Sequence, residues 1–175
     1  MRPILAQAFL TLLLVPLSVV AQWVDRDGKQ LAPTESMKSN GNFGVQIVLT
    51  SDDDSFRKSW HASTTPPTLR TTNTVARGAS ISAMAIFHGC TAGPGGKCDA
   101  SVAFTLLAPD GKSTPAGAGP LWGQAPVQGK LLLAPASVSI TFDKTDVPGR
   151  YKILATATDK VAGKKVQLSA PFTLH

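Results

Sequence analysis

The strongest constraint on the fold is an alternation of apolar and polar residues that begins at Phe43 and recurs in short runs to the end of the chain. In the first run, one side of an extended chain would carry Phe43, Val45, Ile47 and Leu49. A period of two places successive side chains on opposite faces, which is typical of a β-strand with a buried face. No run of ten or more residues after position 21 carries a helical apolar stripe. The pattern therefore predicts an all-β chain.

Turn chemistry separates the alternating runs. Pro109-Asp110-Gly111-Lys112 and Val147-Pro148-Gly149 each combine a proline, which fixes φ, with a glycine, which tolerates positive φ. Residues 159–164 join two alternating runs and are predicted to form a hairpin loop. The further runs lie at 81–87, 102–106, 131–133, 138–142, 151–157 and 166–174. About seven short strands predict an antiparallel two-sheet sandwich, with 113–129 as a long irregular connection.

The segment before Tyr151 resembles the tyrosine corner of immunoglobulin-like sandwiches. An acidic residue, Asp146, precedes a tight turn that contains Gly149, and Tyr151 then opens a strand. In that family the tyrosine hydroxyl bonds to nearby backbone. The resemblance implies that Asp146, Gly149 and Tyr151 form a structural corner.

A wider resemblance covers residues 43–175, which are similar to small exported proteobacterial proteins of unassigned function with an immunoglobulin-like β-sandwich. The similarity rests on Phe43-Gly44, Asp53-x-x-Phe56-x-x-x-Trp60, Gly89-Cys90 with Cys98, Pro109-Asp110-Gly111, Leu121-Trp122 and Pro148-Gly149-x-Tyr151. It implies a fold and no activity, so it supplies no functional residue. Immunoglobulin domains with an inter-sheet disulfide have cysteines far apart, and that part of their pattern is absent here.

The first 21 residues predict export. Arg2 precedes an apolar segment, and Val19-Val20-Ala21 offers small residues for cleavage after Ala21. Gln7 and Pro16 interrupt the apolar segment, which is shorter than the roughly 20 residues of a membrane-spanning helix. An uncleaved anchor is the alternative. We predict a signal peptide at 1–21, a flexible polar arm at 22–42 and an immunoglobulin-like sandwich domain at 43–175. The protein would be periplasmic or secreted, with no stable membrane insertion after cleavage.

The chain has two cysteines, Cys90 and Cys98. Exported proteins fold in an oxidising compartment, so the pair is predicted to form a disulfide. A redox pair would normally be Cys-x-x-Cys, and a zinc site would need two more ligands. His88 and Asp99 lie near this loop, but no close ligand spacing such as His-x-His is present. We therefore predict no metal and no cofactor.

The net charge of +6 comes from scattered basic residues. They form no block and are not interleaved with aromatic residues, so nucleic-acid binding is not predicted. Ordinary solvation of a β-surface explains this distribution, and a mild affinity for anionic envelope surfaces is the alternative.

Phe56 and Trp60 are four residues apart, which predicts one helical turn capped by Asp54. Two interpretations of this segment stay open. The rings would plug an open end of the sandwich, or Trp60, His61 and Trp122 would line a shallow ligand surface for sugar rings or a peptide.

The chain has no Gly-x-Ser-x-Gly motif and no paired carboxylates placed for glycoside hydrolysis. We predict no enzymatic or catalytic residues and a protein-binding or accessory module of the bacterial envelope. An envelope protein is the expected partner, because exposed sheet edges accept an extra strand. A glycan-binding module with exposed tryptophans is the first alternative. A hydrolase with a loop-built site, using His61 or His88, is the second.

Overall fold

The computed structural model describes residues 23–24, 27–62 and 69–175. These residues contain nine β-strands, which form two sheets, and one helix, and this arrangement confirms the all-β sandwich. The strands are β1 (Met37–Asn40), β2 (Phe43–Thr50), β3 (Thr74–Val75), β4 (Ser80–His88), β5 (Ala100–Leu107), β6 (Ser113–Trp122), β7 (Leu132–Thr141), β8 (Gly149–Asp159) and β9 (Lys164–Leu174), and the helix α1 (Asp53–Ala62) lies between β2 and β3.

Each sheet has a simple strand order. The four-stranded sheet runs β1-β2-β4-β7, and all its neighbours are antiparallel. The five-stranded sheet runs β3-β9-β8-β5-β6. It is antiparallel except for the two-residue pairing of β3 with β9. The edge strands are therefore β1 and β7 in one sheet, and β3 and β6 in the other.

The main core lies between the two sheets. β8 and β9 bury every second side chain, as the alternation of their sequences predicts. Phe43, Phe87 and Phe172 are among the largest side chains that are fully buried. Burial of such a side chain contributes about 1.5–3 kcal/mol relative to leaving it exposed. The alternating sequence thus supplies both inner faces of the sandwich.

The four-stranded sheet also has a covered outer face. We call the side chains buried there the outer cluster; they are Trp23, Met37, Phe56, Met84, Ile86 and Leu133. β4 contributes to both sides, so its residues from Ile81 to Phe87 are all buried. This explains why β4 is apolar on both faces from Ala83 to Phe87.

Helix α1 covers part of this outer face. It spans ten residues, which is longer than the single predicted turn. The cap is Asp52 and not Asp54, because the Asp52 carboxylate accepts the Ser55 N–H at 2.9 Å. Hydrogen bonding from Ser55 lowers the pKa of Asp52. Phe56 is the helical side chain that is fully buried in the outer cluster.

Described parts of the segment predicted as a flexible arm, 22–42, pack against the sandwich. Trp23 is only 7% exposed and packs in the outer cluster, while β1 pairs with β2. The Leu31 N–H also donates to the Trp23 carbonyl at 2.8 Å. Isolated side chains anchor this segment, so no periodic pattern marks it. Residues 1–22 lie outside the described part of the chain, and the signal peptide stays a prediction.

The predicted irregular connection at 113–129 is also partly wrong, because 113–122 form β6. Pro115, Gly117, Gly119 and Pro120 lower the strand propensity of this segment and conceal it in the sequence. An edge strand tolerates proline, and β6 pairs with β5 on one side only. The predicted short runs at 131–133 and 138–142 merge into β7, while β1, β3 and β6 are additional, so the described residues form nine strands instead of the predicted seven.

The turn before β8 is held by side chains. The Tyr151 hydroxyl donates a hydrogen bond of 2.8 Å to the Val147 carbonyl, and Asp146 accepts the Asp143 N–H at 2.6 Å. Gly149 has a φ of +152° and lies against Pro109, whose Cγ would be 2.9 Å from an added Cβ. Burial raises the pKa of Tyr151, and the nearby carboxylates raise it further.

A second set of hydrogen bonds joins the loop at residues 90–98, which we call the cysteine loop, to the β8–β9 hairpin. Cys90 and Cys98 form a disulfide, and both are buried. The fully buried Asp159 carboxylate accepts the Thr91 N–H at 2.9 Å. It also accepts the N–H groups of Val161 and Ala162 in the hairpin. One carboxylate thus fixes two loops at the same end of the sandwich.

Tyr151→Phe tests the hydrogen bond at the turn. The substitution keeps the ring contacts with Phe142 and Phe172 and removes only the donor to Val147. We expect the free energy of unfolding to fall by about 1 kcal/mol. Urea denaturation measures this change, and an unchanged midpoint would show that the hydroxyl contributes nothing.

Asp159→Asn tests the tie between the loops. The amide keeps one acceptor oxygen but turns an NH₂ group towards a backbone donor. We therefore expect the free energy of unfolding to fall by about 2–3 kcal/mol. Asp99→Asn is the matched control, because the exposed Asp99 pairs with Lys160 at 2.9 Å and such surface pairs contribute at most about 1 kcal/mol. Equal losses for the two variants in urea denaturation would contradict the role of Asp159.

Candidate functional site

Most sheet edges of this sandwich are protected. An exposed edge presents unpaired N–H and C=O groups that pair with another chain unless the edge is short, interrupted or covered. β1 has four residues and β3 has two. β6 is longer, but it carries Pro115 and Pro120, and its pairing with β5 shifts register twice. These three edges are poor templates for an added strand.

The first half of β7 is covered by α1. Between Leu133 and Ser137, three residues of β7 lie opposite the single residue Ala85 of β4, so this segment is a bulge. A bulge leaves backbone groups without ladder partners. Arg57 of α1 donates to the Ala134 carbonyl at 3.2 Å, to the Pro135 carbonyl at 3.1 Å and to the Ser137 hydroxyl at 2.9 Å. The guanidinium therefore satisfies the bulge and closes this part of the edge.

The second half of β7 lies beyond the carbonyls that Arg57 binds. We call residues 137–141 the open edge; its sequence is Ser-Val-Ser-Ile-Thr, without charge or proline. It pairs in regular register with β4, from Met84 opposite Ser137 to Ser80 opposite Thr141. In the described part of the chain, β7 has no strand neighbour other than β4. Within residues 23–24, 27–62 and 69–175, the far side of the open edge therefore has no paired strand.

The direction of the free backbone groups follows from the register. The Phe142 N–H donates to the Ala79 carbonyl at 3.0 Å, so this pair is of the hydrogen-bonded type. Antiparallel pairs alternate between bonded and non-bonded types. The N–H and C=O groups of Ser137, Ser139 and Thr141 therefore point away from β4. They are the groups that an added strand would bind.

The two faces of the open edge differ in chemistry. Val138 is buried in the main core and Ile140 packs partly against it. Ser139 and Thr141 are exposed on the other face, where the Thr141 hydroxyl lies 2.8 Å from that of Ser80. Gly117 of β6 lies beneath Val138, where a Cβ would meet Val138 Cγ2 at 3.8 Å. The open edge thus has an apolar inner face and a hydroxyl outer face.

The predicted ligand surface is divided between the two clusters. Trp60 packs against the outer cluster, and its neighbour His61 is exposed on α1. Trp122 packs against the main core, with its ring centroid 5.7 Å from that of Phe87. Its Nε1 donates to the Ala125 carbonyl at 3.0 Å. Both indoles are half-buried by protein contacts, and a ligand surface that uses them stays a prediction.

Two shallow grooves flank β9. One has a volume of about 260 Å³ and is lined by residues that include Gln46, Thr72 and Pro171. The other has a volume of about 460 Å³ and contains Arg150 and the pair of Lys152 with Glu35. The Lys152 Nζ–Glu35 Oε2 distance is 3.8 Å and both side chains are exposed, so the pair contributes little. Neither groove gathers residues into a recognisable catalytic arrangement.

His88 is half-buried, and among the described residues its buried Nε2 has no polar partner. Its ring meets that of Trp23 edge-on at 5.0 Å, and the buried Trp23 Nε1 likewise has no partner in this part of the chain. An added Cβ at Gly44 would lie 2.1 Å from His88 Nε2 and 2.8 Å from Ser39 Oγ. Burial lowers the pKa of His88, and a hydrogen bond with the Asn42 backbone opposes this shift. Burial therefore favours the neutral form of His88, whose ring packs against Trp23.

Among the described residues, no three His, Cys, Asp or Glu side chains gather closely enough to hold a metal ion. Nor does this part of the chain contain a helix with the length and apolar character needed to cross a membrane. The outer cluster, Arg57 and the open edge were not identified from the sequence. The alternation of Ser137, Ser139 and Thr141 was visible there, but their place at an unpaired edge depends on the strand order.

The burial of His88 predicts sensitivity to acid. The unfolded histidine titrates near its ordinary pKa of 6.5, whereas the folded pKa is lower. Below 6.5 the unfolded state therefore binds more protons, and stability is lost as the pH falls towards the folded pKa. We expect the urea midpoint to fall between about pH 7 and about pH 5. His88→Phe should reduce this slope, while His61→Gln should retain it; equal slopes would contradict the role of His88.

No protein-family model matches the chain, and no curated protein matches it in sequence. The solved structures that align with it include a family 123 glycoside hydrolase from Clostridium perfringens, with 11% identity and a TM-score of 0.43. That alignment covers 75% of this chain but 27% of the hydrolase, so the chain spans about a quarter of its length.

Two further structures align at similar levels. A Niemann-Pick type C2 protein from Japanese carpenter ant has 10% identity over 74% of this chain and 89% of its own, with a TM-score of 0.39. A β-glucosidase from Listeria innocua has 8% identity over 89% of this chain and 19% of its own, with a TM-score of 0.39. Similarities of this size assign no function to the chain.

Proposed function

We propose that this protein is a non-enzymatic binding module of the bacterial envelope whose open edge pairs with an extended segment of a partner protein. The observation that supports the proposal most is the selective protection of the sheet edges. β1 and β3 are short, β6 is interrupted, and Arg57 covers the bulge of β7. Natural sandwiches protect edges against pairing, so an unprotected segment next to a protected one favours a role in binding.

The open edge has the chemistry of strand addition. Its free N–H and C=O groups lie on alternate residues, Ser137, Ser139 and Thr141, and would bind the backbone of an extended peptide. Main-chain hydrogen bonds would supply affinity without regard to sequence. Specificity would come from side chains that meet Val138 and Ile140 on the inner face. Five residues form a short recognition element, about the usual length of a strand.

The envelope is the proposed location. The disulfide between Cys90 and Cys98 is typical of proteins that fold in an oxidising compartment. The N-terminal segment has the pattern of a cleaved signal peptide, which supports a periplasmic or secreted protein. The net charge of +6 would favour the approach of acidic partners or anionic surfaces.

The two alternatives have weaker support. A glycan-binding module would use Trp60, His61 and Trp122, but the two indoles pack against different clusters. A hydrolase would need a histidine activated beside a nucleophile, and the His88 Nε2 has no hydrogen-bond partner among the described residues. Neither alternative gains an observation comparable to the open edge.

A capture experiment with an edge-blocking variant tests the proposal. The tagged exported chain is incubated with envelope extract, and retained proteins are identified by mass spectrometry. Ser139→Pro removes an N–H that points away from β4, so the fold loses no ladder bond. We expect a defined protein to be retained by the wild-type chain and by Ser139→Ala, and at least about tenfold less by Ser139→Pro, which corresponds to about 1.4 kcal/mol.

Thermal unfolding of each variant controls for folding. If Ser139→Pro lowers the melting temperature substantially, Ser139→Lys provides a second variant, because an exposed lysine on an edge opposes strand addition. Retention of the same protein by both edge variants would overturn the proposal. Loss of binding after glycan digestion, or in Trp60→Ala alone, would favour the glycan-binding alternative instead.

A further inference from the structure

The open edge is nearly symmetric about its central residue. Ser139 is flanked by two β-branched aliphatic residues, Val138 and Ile140, and then by two hydroxyl residues, Ser137 and Thr141. Reading the segment in either direction gives the order hydroxyl, aliphatic, serine, aliphatic, hydroxyl. An antiparallel pairing of two identical strands requires this kind of self-complementarity, because a two-fold axis presents the same surface from both sides.

We propose that the partner of the open edge is a second copy of this chain, paired antiparallel about a two-fold axis through Ser139. This inference rests on the proposed function and names its partner. The two four-stranded sheets then form one continuous sheet across the interface. Two extended edges, each with its free groups on alternate residues, supply the hydrogen bonds.

The backbone groups match in this register. Ser139 lies opposite Ser139 of the second copy, and Ser137 lies opposite Thr141. These are the residues whose N–H and C=O groups point away from β4, so the pairs across the axis are of the hydrogen-bonded type. A register displaced by one residue would place outward groups opposite inward groups and would lose these bonds.

The side chains match on both faces. On the outer face, hydroxyl groups lie opposite hydroxyl groups, a cross-strand combination that stabilises antiparallel pairs. On the inner face, Val138 of each copy lies opposite Ile140 of the other. Ile140 is only partly buried in the single chain, so pairing covers apolar surface that is otherwise exposed. The open edge itself carries no charge to oppose the approach of an identical strand.

The charges beside the open edge are also complementary. Ser137 of one copy lies opposite Thr141 of the other, and Asp143 follows Thr141 by two residues. Arg57 donates to the Ser137 hydroxyl at 2.9 Å, and Asp143 is exposed. A guanidinium of each copy therefore lies near a carboxylate of the other, once on each side of the axis. Ion pairs at the rim of an interface orient the two partners more than they add affinity.

The short pairing sets the expected strength of the dimer. Five residues on each side form an interface well below the roughly 1,200 Å² of specific stable complexes. The dimer is therefore expected to dissociate on dilution. Sedimentation velocity of the chain without the predicted signal peptide, over a dilution series, measures the fraction of dimer.

The expected result is a concentration-dependent dimer for the wild-type chain and for Ser139→Ala. Ser139→Pro removes one outward donor from each copy, and Asp143→Lys replaces an attraction with a repulsion. We expect the dimer dissociation constant to rise by at least about tenfold in Ser139→Pro and by several-fold in Asp143→Lys at low salt. Thermal unfolding confirms that each variant is folded.

A cysteine pair tests the register directly. Hydrogen-bonded antiparallel pairs have Cα atoms about 5.5 Å apart, within the range that a disulfide spans. Under mild oxidation, S139C should therefore cross-link to itself across the axis. S137C alone should not, because it lies opposite Thr141, whereas a mixture of S137C and T141C should cross-link. Equal cross-linking of S139C and S137C would overturn the proposed register.

A wild-type chain that stays monomeric at every concentration would overturn the second copy as partner. In that case, the proposed function would remain intact if an envelope protein binds the wild-type chain and Ser139→Pro abolishes this binding. A dimer that Ser139→Pro does not weaken would also overturn the inference, since the two copies would then meet elsewhere. If the chain dimerises through the open edge and no envelope protein binds that edge, the result would support the second copy as the partner. It would contradict an envelope protein as the partner.

Discussion

Burial of both faces of β4 is the constraint on which the rest of this structure depends. Between Ile81 and Phe87 every side chain is buried, so the four-stranded sheet needs a cover on its outer face as well as on its inner face. The outer cover comes from Trp23 and Phe56, which lie before and after β2 in the chain. Removing apolar area from water on that face offsets the entropy of ordering both segments.

The position of helix α1 has a consequence for the sheet edge. Because Phe56 is fixed in the outer cluster, the next residue, Arg57, reaches the bulge of β7 and binds its free carbonyls. The contacts of Arg57 reach as far as the Ser137 hydroxyl, and Ser139 is exposed. In the described part of the chain, the position of the outer cover therefore sets where protection of this edge by Arg57 ends.

The sequence predicts the inner faces of this fold well and its outer cover poorly. The alternation in β2, β8 and β9 reports one buried face, because each of these patterns is local and has a period of two. The arm escapes detection, because Trp23 is a single anchor whose burial depends on His88 and the outer cluster. β6 is concealed by Pro115 and Pro120, which an edge position tolerates. The open edge depends on strand order, which no local pattern encodes.

Both sheets of the sandwich are held in place before any partner binds. The Tyr151 hydroxyl fixes the turn before β8, and Asp159 fixes the cysteine loop against the β8–β9 hairpin. These restraints act on the five-stranded sheet, while the contact of Val138 with the main core holds the open edge in the other sheet. A strand that is already ordered loses little entropy when a second strand pairs with it. Most of the entropic cost of ordering then falls on the partner. A second copy of this chain is already ordered before contact, so it avoids most of this cost.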